Sequence, residues 1–391
     1  MDNFTFQIPT KLYFGKDEER GIGEYLKPYA AKVLLHYGGG SIKRSGLYER
    51  VAASLLASGI NFVELGGVVP NPRLALVREG VGLCKREGVE LVLAVGGGSV
   101  IDSAKAIAMG CRYDGDLWEL YTSKAPLGRS LPVACILTIP AAGSEASKVS
   151  VISNEDEHRK LGHHDEAHRP LLSIINPALF TTLPREQIAN GAADILSHIF
   201  ERYFTRTQHT DVSDGMCEGV MRAVMKNAVL AWDDPGNYDA WCEIGWAGCL
   251  AHNDLLGRGR AEDWGCHGLE HELSAFYDVA HGAGLAVLTP FWMEYVWREH
   301  APMFLQFAHN VMGVEPNRDS EAVIMEAIAR LRAFFLRLRL PGTLGDLGIG
   351  PERIEEMAKR MSGEAFGAET GRGNFKKLLW QDAARIYTMA L

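Results

Sequence analysis

Through the first half of the chain, short apolar runs rich in leucine and β-branched residues alternate with glycine-rich turns and with stretches whose apolar residues recur at helical spacing. That rhythm predicts βα units, with strands near 32–37, 61–65, 91–95, 133–138 and 172–175 and helices over 46–58 and 73–87. The alternating segment 4–14 is broken by Pro9, which suits an edge hairpin or a subunit contact better than a central strand. Beyond Asn176-Pro177 the strand-like runs stop. Long helical patterns take over at 184–204, 213–230, 238–255, 319–338 and 375–390. Thr182 can cap a helix and Pro184 is tolerated in its first turn, so a domain boundary is expected near residue 180. The expected fold is an α/β domain over 1–180 built on a parallel sheet, then an all-α domain over 181–391, with the functional site in the cleft between them.

Chemistry enters first at two glycine loops. Gly96-Gly97-Gly98-Ser99 follows the run 91–95 and precedes a helical start that carries Asp102 and Lys105. In that order, bare backbone N–H groups approach phosphate oxygens and the helix dipole adds positive charge, a site for a pyrophosphate. The spacing is not G-x-G-x-x-G, so the ordinary Rossmann fingerprint is not present here. Gly38-Gly39-Gly40-Ser41 repeats the arrangement after 32–37. Two such loops would line the carboxyl edge of one sheet, where dinucleotides bind. The stretch from Gly39 continues through Ile42, Lys43 and Arg44 without the acidic side chain that grips an unmodified adenosine ribose. A hydroxyl and two cations favour NADP, with NAD the second choice. Thr138 opens a third stretch, running to Glu145, that adds small residues and hydroxyls.

The helical half offers a different set. Asp194 and His198 stand four apart in an otherwise apolar helical stretch, so both project from one face. His267 and His271 repeat the spacing, and His281 follows. One carboxylate with neutral imidazoles suits a borderline divalent cation, Fe or Zn, whereas calcium or magnesium would want more oxygen.

Composition narrows the rest. The chain has 391 residues, 47% of them hydrophobic, enough to bury the cores of two domains. A net charge of -9 without a dense basic block argues against nucleic acid or an anionic membrane as partner. Apolar runs fall far short of the ~20 residues that span a bilayer, and the N-terminus lacks a signal-peptide pattern. The seven cysteines are scattered with no C-x-x-C pair, which argues against a disulfide framework or a zinc knuckle. A cytoplasmic protein acting on a small molecule is expected.

Taken together, the segments 37–43, 66–72 and 94–102, Asn190 to Asp194 with His198, and His267-x-x-x-His271 with His281 resemble those of the iron-containing, or group III, alcohol dehydrogenases. Within that family they look like the butanol dehydrogenase and NADPH-dependent aldehyde reductase branch. The resemblance spans essentially the whole chain. It implies a dinucleotide-binding α/β domain joined to a helical metal-binding domain, the architecture shared with dehydroquinate synthase, and a homodimer. It assigns the metal to Asp194, His198, His267 and His281, and the pyrophosphate to the glycines with Ser99. Asp102 would lie near the nicotinamide, Lys160 near its ribose, and Gly39 and Ser41 near the adenosine 2′-phosphate. His271 matches a histidine beside the metal and not on it, a candidate proton relay. Ala142 departs from the family's usual threonine before Gly-Ser-Glu.

The expected chemistry is hydride transfer between NAD(P)H and a small aldehyde or primary alcohol, with the metal polarising the oxygen. A lyase of the dehydroquinate synthase type would need several basic residues for a charged substrate. The sequence near the ligands instead offers Trp264, Leu273, Phe276, Tyr277 and Trp292. A metal-dependent hydrolase would leave both glycine loops idle, and a metal-storage or scaffold role would leave both constellations without purpose.

Overall fold

A computed structural model describes residues 1–123, 128–316 and 319–391. They form two compact units, Gln7–Thr182 and Leu183–Leu391, the second joined by Met1–Phe6.

In the first unit the elements run β1 (Lys11–Phe14), α1 (Ile22–Leu26), β2 (Lys32–Gly38), α2 (Ser41–Arg44), α3 (Leu47–Ala57), β3 (Asn61–Val68), α4 (Leu74–Glu87) and β4 (Leu91–Gly97). They continue through α5 (Gly98–Gly110), α6 (Leu117–Ser123), β5 (Val133–Ile139), β6 (Val149–Asn154), β7 (Arg159–His164) and β8 (Leu172–Ile175). Six strands make one sheet in the order β1-β8-β5-β4-β2-β3, every pair parallel. Helices cover a parallel sheet on both faces, which is why its central strands read as unbroken apolar runs. All seven residues of β4 are buried, and Val33, Leu35, Leu91, Leu93, Val95, Ala134 and Ile136 share one core with α1 and α3. Even His36, on β2, is wholly buried, bonded through Nδ1 to the Leu65 carbonyl and through Nε2 to Ser103 Oγ. Desolvation pulls its pKa down to about 4, so the imidazole stays neutral at ordinary pH.

Three local readings need correction. The segment 4–14 is not a hairpin: only Lys11–Phe14 is a strand, an edge strand parallel to β8, because Leu171 and Ile175 supply its backbone partners. The antiparallel pair β6–β7 has no counterpart in the expected strands, since β7 is mostly polar and neither short segment alternates cleanly. The helix after Gly38-Gly39-Gly40 spans only four residues, Ser41–Arg44, so the dipole argument holds for the thirteen-residue α5 and not for α2.

The second unit is built from α7 (Arg185–Tyr203), α8 (Asp211–Asp233), α9 (Tyr238–His252), α10 (Gly265–Tyr277), α11 (His281–Val296), α12 (Ala301–Asn310), α13 (Ser320–Arg337), α14 (Ile354–Ser362) and α15 (Trp380–Met389). The helix expected from 375 begins only at Trp380. α7 is buried nearly all round from Ile188 to Tyr203, which marks it as the central helix of the unit. α11 packs tightly on it at Gly282, where a β-carbon would lie 2.1 Å from the Asn190 carbonyl oxygen. That close approach sets His281, at the first position of α11, beside Asp194 one turn further along α7.

Candidate active site

The candidate residues fall into two groups, one within each unit. In the α/β unit, Gly96 and Gly97 end β4, and Gly98 and Ser99 open α5. Gly97 pairs in register with Ile139 on β5, and Thr138 stands half-buried beside it. A β-carbon on Gly98 would come within 3.0 Å of the Ala142 methyl, so the third stretch lies directly against the glycine loop.

That stretch is fastened from α5. Asp102 Oδ1 accepts from Ser144 Oγ at 2.5 Å and Oδ2 from the Val151 amide at 3.1 Å. Burial raises the Asp102 pKa, opposed by the charges of Lys105 and Lys160. Both carboxylate oxygens are thus engaged within the unit, which makes Asp102 an anchor for the loop. Lys105 is fully buried, and its Nζ donates to the carbonyls of Ser144, Ser147 and Val149 at 2.7, 3.0 and 2.9 Å. Desolvation pulls that ammonium down to about 8, and pushes the buried Glu145 carboxyl up to about 7. Lys160 is buried on β7.

At the end of β2, Gly38 is half-buried while Gly39 and Ser41 are exposed. Gly40 has φ +93°, a conformation that a side chain strains. Lys43, just beyond, turns its ammonium onto Glu64 of β3, with Nζ 3.2 Å from Oε2, and the Tyr37 hydroxyl donates to the same oxygen at 2.7 Å. The Lys43 ammonium also lies 5.0 and 4.6 Å from the ring centroids of Tyr37 and Tyr48. The hydrogen bond from Tyr37 holds the Glu64 carboxyl below its usual range. An acidic group absent from the β2 loop therefore reaches its neighbourhood from the next strand.

In the helical unit, Asp194, His198 and His267 are buried and His281 partly so. His198 Nε2 lies 3.3 Å and His281 Nε2 3.7 Å from Asp194 Oδ1. Donor atoms of Asp194, His267 and His281 all fall within 4.8 Å of one another, and the His198 and His267 ring centroids are 4.6 Å apart. Burial holds His198 well below its usual pKa, keeping a lone pair for coordination. His267 Nε2 is buried with no hydrogen-bond partner among the described residues, a costly position for a bare imidazole nitrogen and a natural one for a metal ligand. The donor set fits a borderline divalent cation.

Two carboxylates missed in the sequence orient these rings. Glu201 Oε1 accepts from His267 Nδ1 and from the His267 amide, both at 2.8 Å, while Oε2 accepts from the Trp264 amide at 2.6 Å. It therefore satisfies the N-terminus of α10 and fixes the His267 tautomer with one side chain. Buried Glu270 does the same for His281, accepting from its Nδ1, with Ser274 Oγ donating to the other oxygen. Helical spacing puts Glu201 on the face of His198 and Glu270 on the face of His267, but it does not show that the rings they hold are those of His267 and His281. The buried His252 ring lies 4.2 Å from that of His198, centroid to centroid. His271 is partly exposed, its ring centroid 5.8 Å from that of His281, and it groups with Glu270 and His281.

The apolar lining needs revision. Trp264 borders the Asp/His cluster, with its ring centroid 5.2 Å from that of His267. Trp292 and Leu273 are buried in the helical core, Trp292 against Phe204, Phe304 and Phe375, and Phe276 lies under Arg353 and Arg360. A helix core consumes large side chains on the inner face whatever lies nearby.

Residues 9–177 match the family described as iron-containing alcohol dehydrogenase, and 188–391 match the C-terminal part of the same family. The NADH-dependent butanol dehydrogenase A of Clostridium acetobutylicum is 44% identical over 372 residues, 94% of this chain and 96% of that one. The NADPH-dependent aldehyde reductase of Escherichia coli is 35% identical with full coverage of both chains. Among solved structures, an NADH-dependent butanol dehydrogenase A of Thermotoga maritima superposes with a TM-score of 0.95 at 40% identity, covering 100% of this chain and 99% of the other. Matches of that extent over both halves leave one conclusion: the chain belongs to the iron-containing alcohol dehydrogenases, oxidoreductases that pair NAD(P)H with a divalent metal.

Proposed function

We propose that this enzyme interconverts small, mostly apolar aldehydes and primary alcohols, prefers NADPH to NADH, and holds its metal, Fe or Zn, through Asp194, His198, His267 and His281. The observation that carries the ligand assignment is the convergence of imidazole nitrogens on Asp194 Oδ1, with His267 Nε2 buried and unpartnered among the described residues. When bound, the metal supplies Lewis acidity toward a carbonyl oxygen and the reduced nicotinamide supplies hydride. Glu201 and Glu270 keep His267 and His281 in the tautomer and orientation that coordination requires. His271, beside His281, passes a proton to the product oxygen.

On the nucleotide side, Gly96, Gly97, Gly98 and Ser99 take the pyrophosphate, and Gly38 to Ser41 take the adenosine ribose. Thr138 and Lys160 flank the nicotinamide riboside. Asp102 serves there by holding the loop at Ser144 and Val151. The division of labour falls near residue 180, with the dinucleotide on the N-terminal side and the metal on the C-terminal side. Two buried arginines of the helical unit make contacts within it: Arg202 donates to the His198 carbonyl, and Arg260 pairs with Asp214. That supports an uncharged substrate over the anionic one of a dehydroquinate synthase-like lyase.

The working form is a cytoplasmic homodimer. Phe4 and Phe6, in the N-terminal segment, and Phe14, on the edge strand β1, are 53%, 40% and 41% exposed, and large apolar side chains left exposed favour burial against a second copy. None of the seven cysteines is joined in a disulfide among the described residues. No helix of the described residues is long and apolar enough to cross a membrane. The deciding experiment is elemental analysis of the purified enzyme with a spectrophotometric screen of aldehydes against NADPH and NADH, before and after chelation. Turnover that survives complete removal of metal would refute the proposal.

A further inference from the structure

We infer that Glu64 tempers the enzyme's preference for NADPH over NADH by drawing Lys43, the cation that would otherwise reach a 2′-phosphate, onto its own carboxylate. This rests on the reading that the loop Gly38 to Ser41 receives the adenosine ribose. β2 lies next to β4, the strand that ends in the pyrophosphate loop, and β3 lies next to β2 at the edge of the sheet. In such a sheet the ribose is met at the carboxyl end of the neighbouring strand. Lys43 sits two residues beyond Ser41, yet its ammonium is turned back along the sheet onto Glu64 and the faces of Tyr37 and Tyr48.

Three attractions hold it there. One carboxylate oxygen of Glu64 accepts from both Lys43 and Tyr37, so the tyrosine fixes the acceptor in place. The two rings add cation–π attraction to the same ammonium. A 2′-phosphate must draw Lys43 off this seat or rely on Ser41 and Arg44 alone. Replacing the carboxylate by an amide of the same shape keeps an acceptor for Tyr37 but weakens the hold on the ammonium. Lys43 then becomes available, and charge-assisted bonding to a phosphate is the stronger alternative.

The test uses the full-length enzyme as Glu64→Gln, Glu64→Gln with Lys43→Met, and Gly39→Asp. Binding of adenosine 2′,5′-bisphosphate and of 5′-AMP is measured by calorimetry, alongside kcat/KM for NADPH and NADH. Glu64→Gln should raise the preference for the 2′-phosphorylated ligand by about three- to tenfold, the scale of one exposed charge-assisted contact. The gain should vanish when Lys43 is also removed. A gain that survives Lys43→Met means that Glu64 acts by repulsion alone and overturns the proposal, as does no gain with Glu64→Gln while Gly39→Asp lowers NADPH use. If Gly39→Asp leaves the preference unchanged, the loop does not receive the ribose, and the reading beneath the proposal fails with it.

Discussion

His267 and His281 are each gripped at Nδ1 by a buried carboxylate, while His271 stands to one side of them. Loss of a ligand and loss of a proton donor therefore have different signatures. His267→Ala or His281→Ala should lower metal content and turnover together. His271→Ala should keep near-stoichiometric metal while kcat falls by about 10²-fold, the lower range for losing a general acid. Elemental analysis, thermal midpoint and kcat on one preparation separate these cases. A His271→Ala enzyme that loses its metal while His281→Ala retains it would require the ligand set to be redrawn. Glu201→Gln tests the orienting carboxylate. An amide offers only one acceptor oxygen where Glu201 uses two, so metal affinity should fall by about 10- to 100-fold, read by titration against a competing chelator.

Elements bring these residues together, and two contacts between elements can be tested directly. Gly282→Ala places a methyl against the Asn190 carbonyl, so α11 must move off α7 and carry His281 away from Asp194. A stability loss of about 1–3 kcal/mol by denaturant unfolding, with weakened metal retention, is expected. In the other unit, the segment that follows β5 is held to α5 by Lys105 and carries Glu145, a buried carboxyl raised to about 7 from an ordinary 4.5. A carboxyl with a higher pKa folded than unfolded contributes stability that is fully present below pH 4.5 and is lost as pH rises through 7. That difference is worth on the order of 3 kcal/mol. Glu145→Gln should flatten the stability profile across this window, measured by unfolding at fixed denaturant from pH 4 to 8. Lys105 has the opposite sense. Its lowered pKa makes the unfolded chain bind more protons between about 8 and 10.5, so stability should rise with pH there.

At the scale of the whole molecule, the enzyme should be a dimer at micromolar concentration by light scattering, and Phe4→Ser with Phe14→Ser should weaken it. An unaltered dimer in that double variant would remove the N-terminal segment from the interface. The parallel sheet, the change to helices after residue 176 and the placing of Asp194 with His198 on one helix face were legible in the sequence because each follows from local periodicity, whereas the choice of His267 and His281 came from the family resemblance. Buried parallel strands are apolar throughout, amphipathic helices repeat every 3.6 residues, and residues four apart share a face. Glu201 and Glu270 were not legible as partners of His267 and His281, since charged residues at helical spacing usually signal a solvated face and only burial reveals otherwise. The lining near the ligands was misread for a related reason: composition cannot tell an aromatic at a site from one that fills the core behind it. Glu64 shows the same divide most sharply. The sequence alone determined that the loop after β2 carries cations and no acid, but β3 lies beside β2 only in the folded sheet, and that pairing across twenty-one residues puts a carboxylate on Lys43. Local order is written in short-range periodicity, whereas charge pairing depends on strand neighbours that the tertiary fold alone decides.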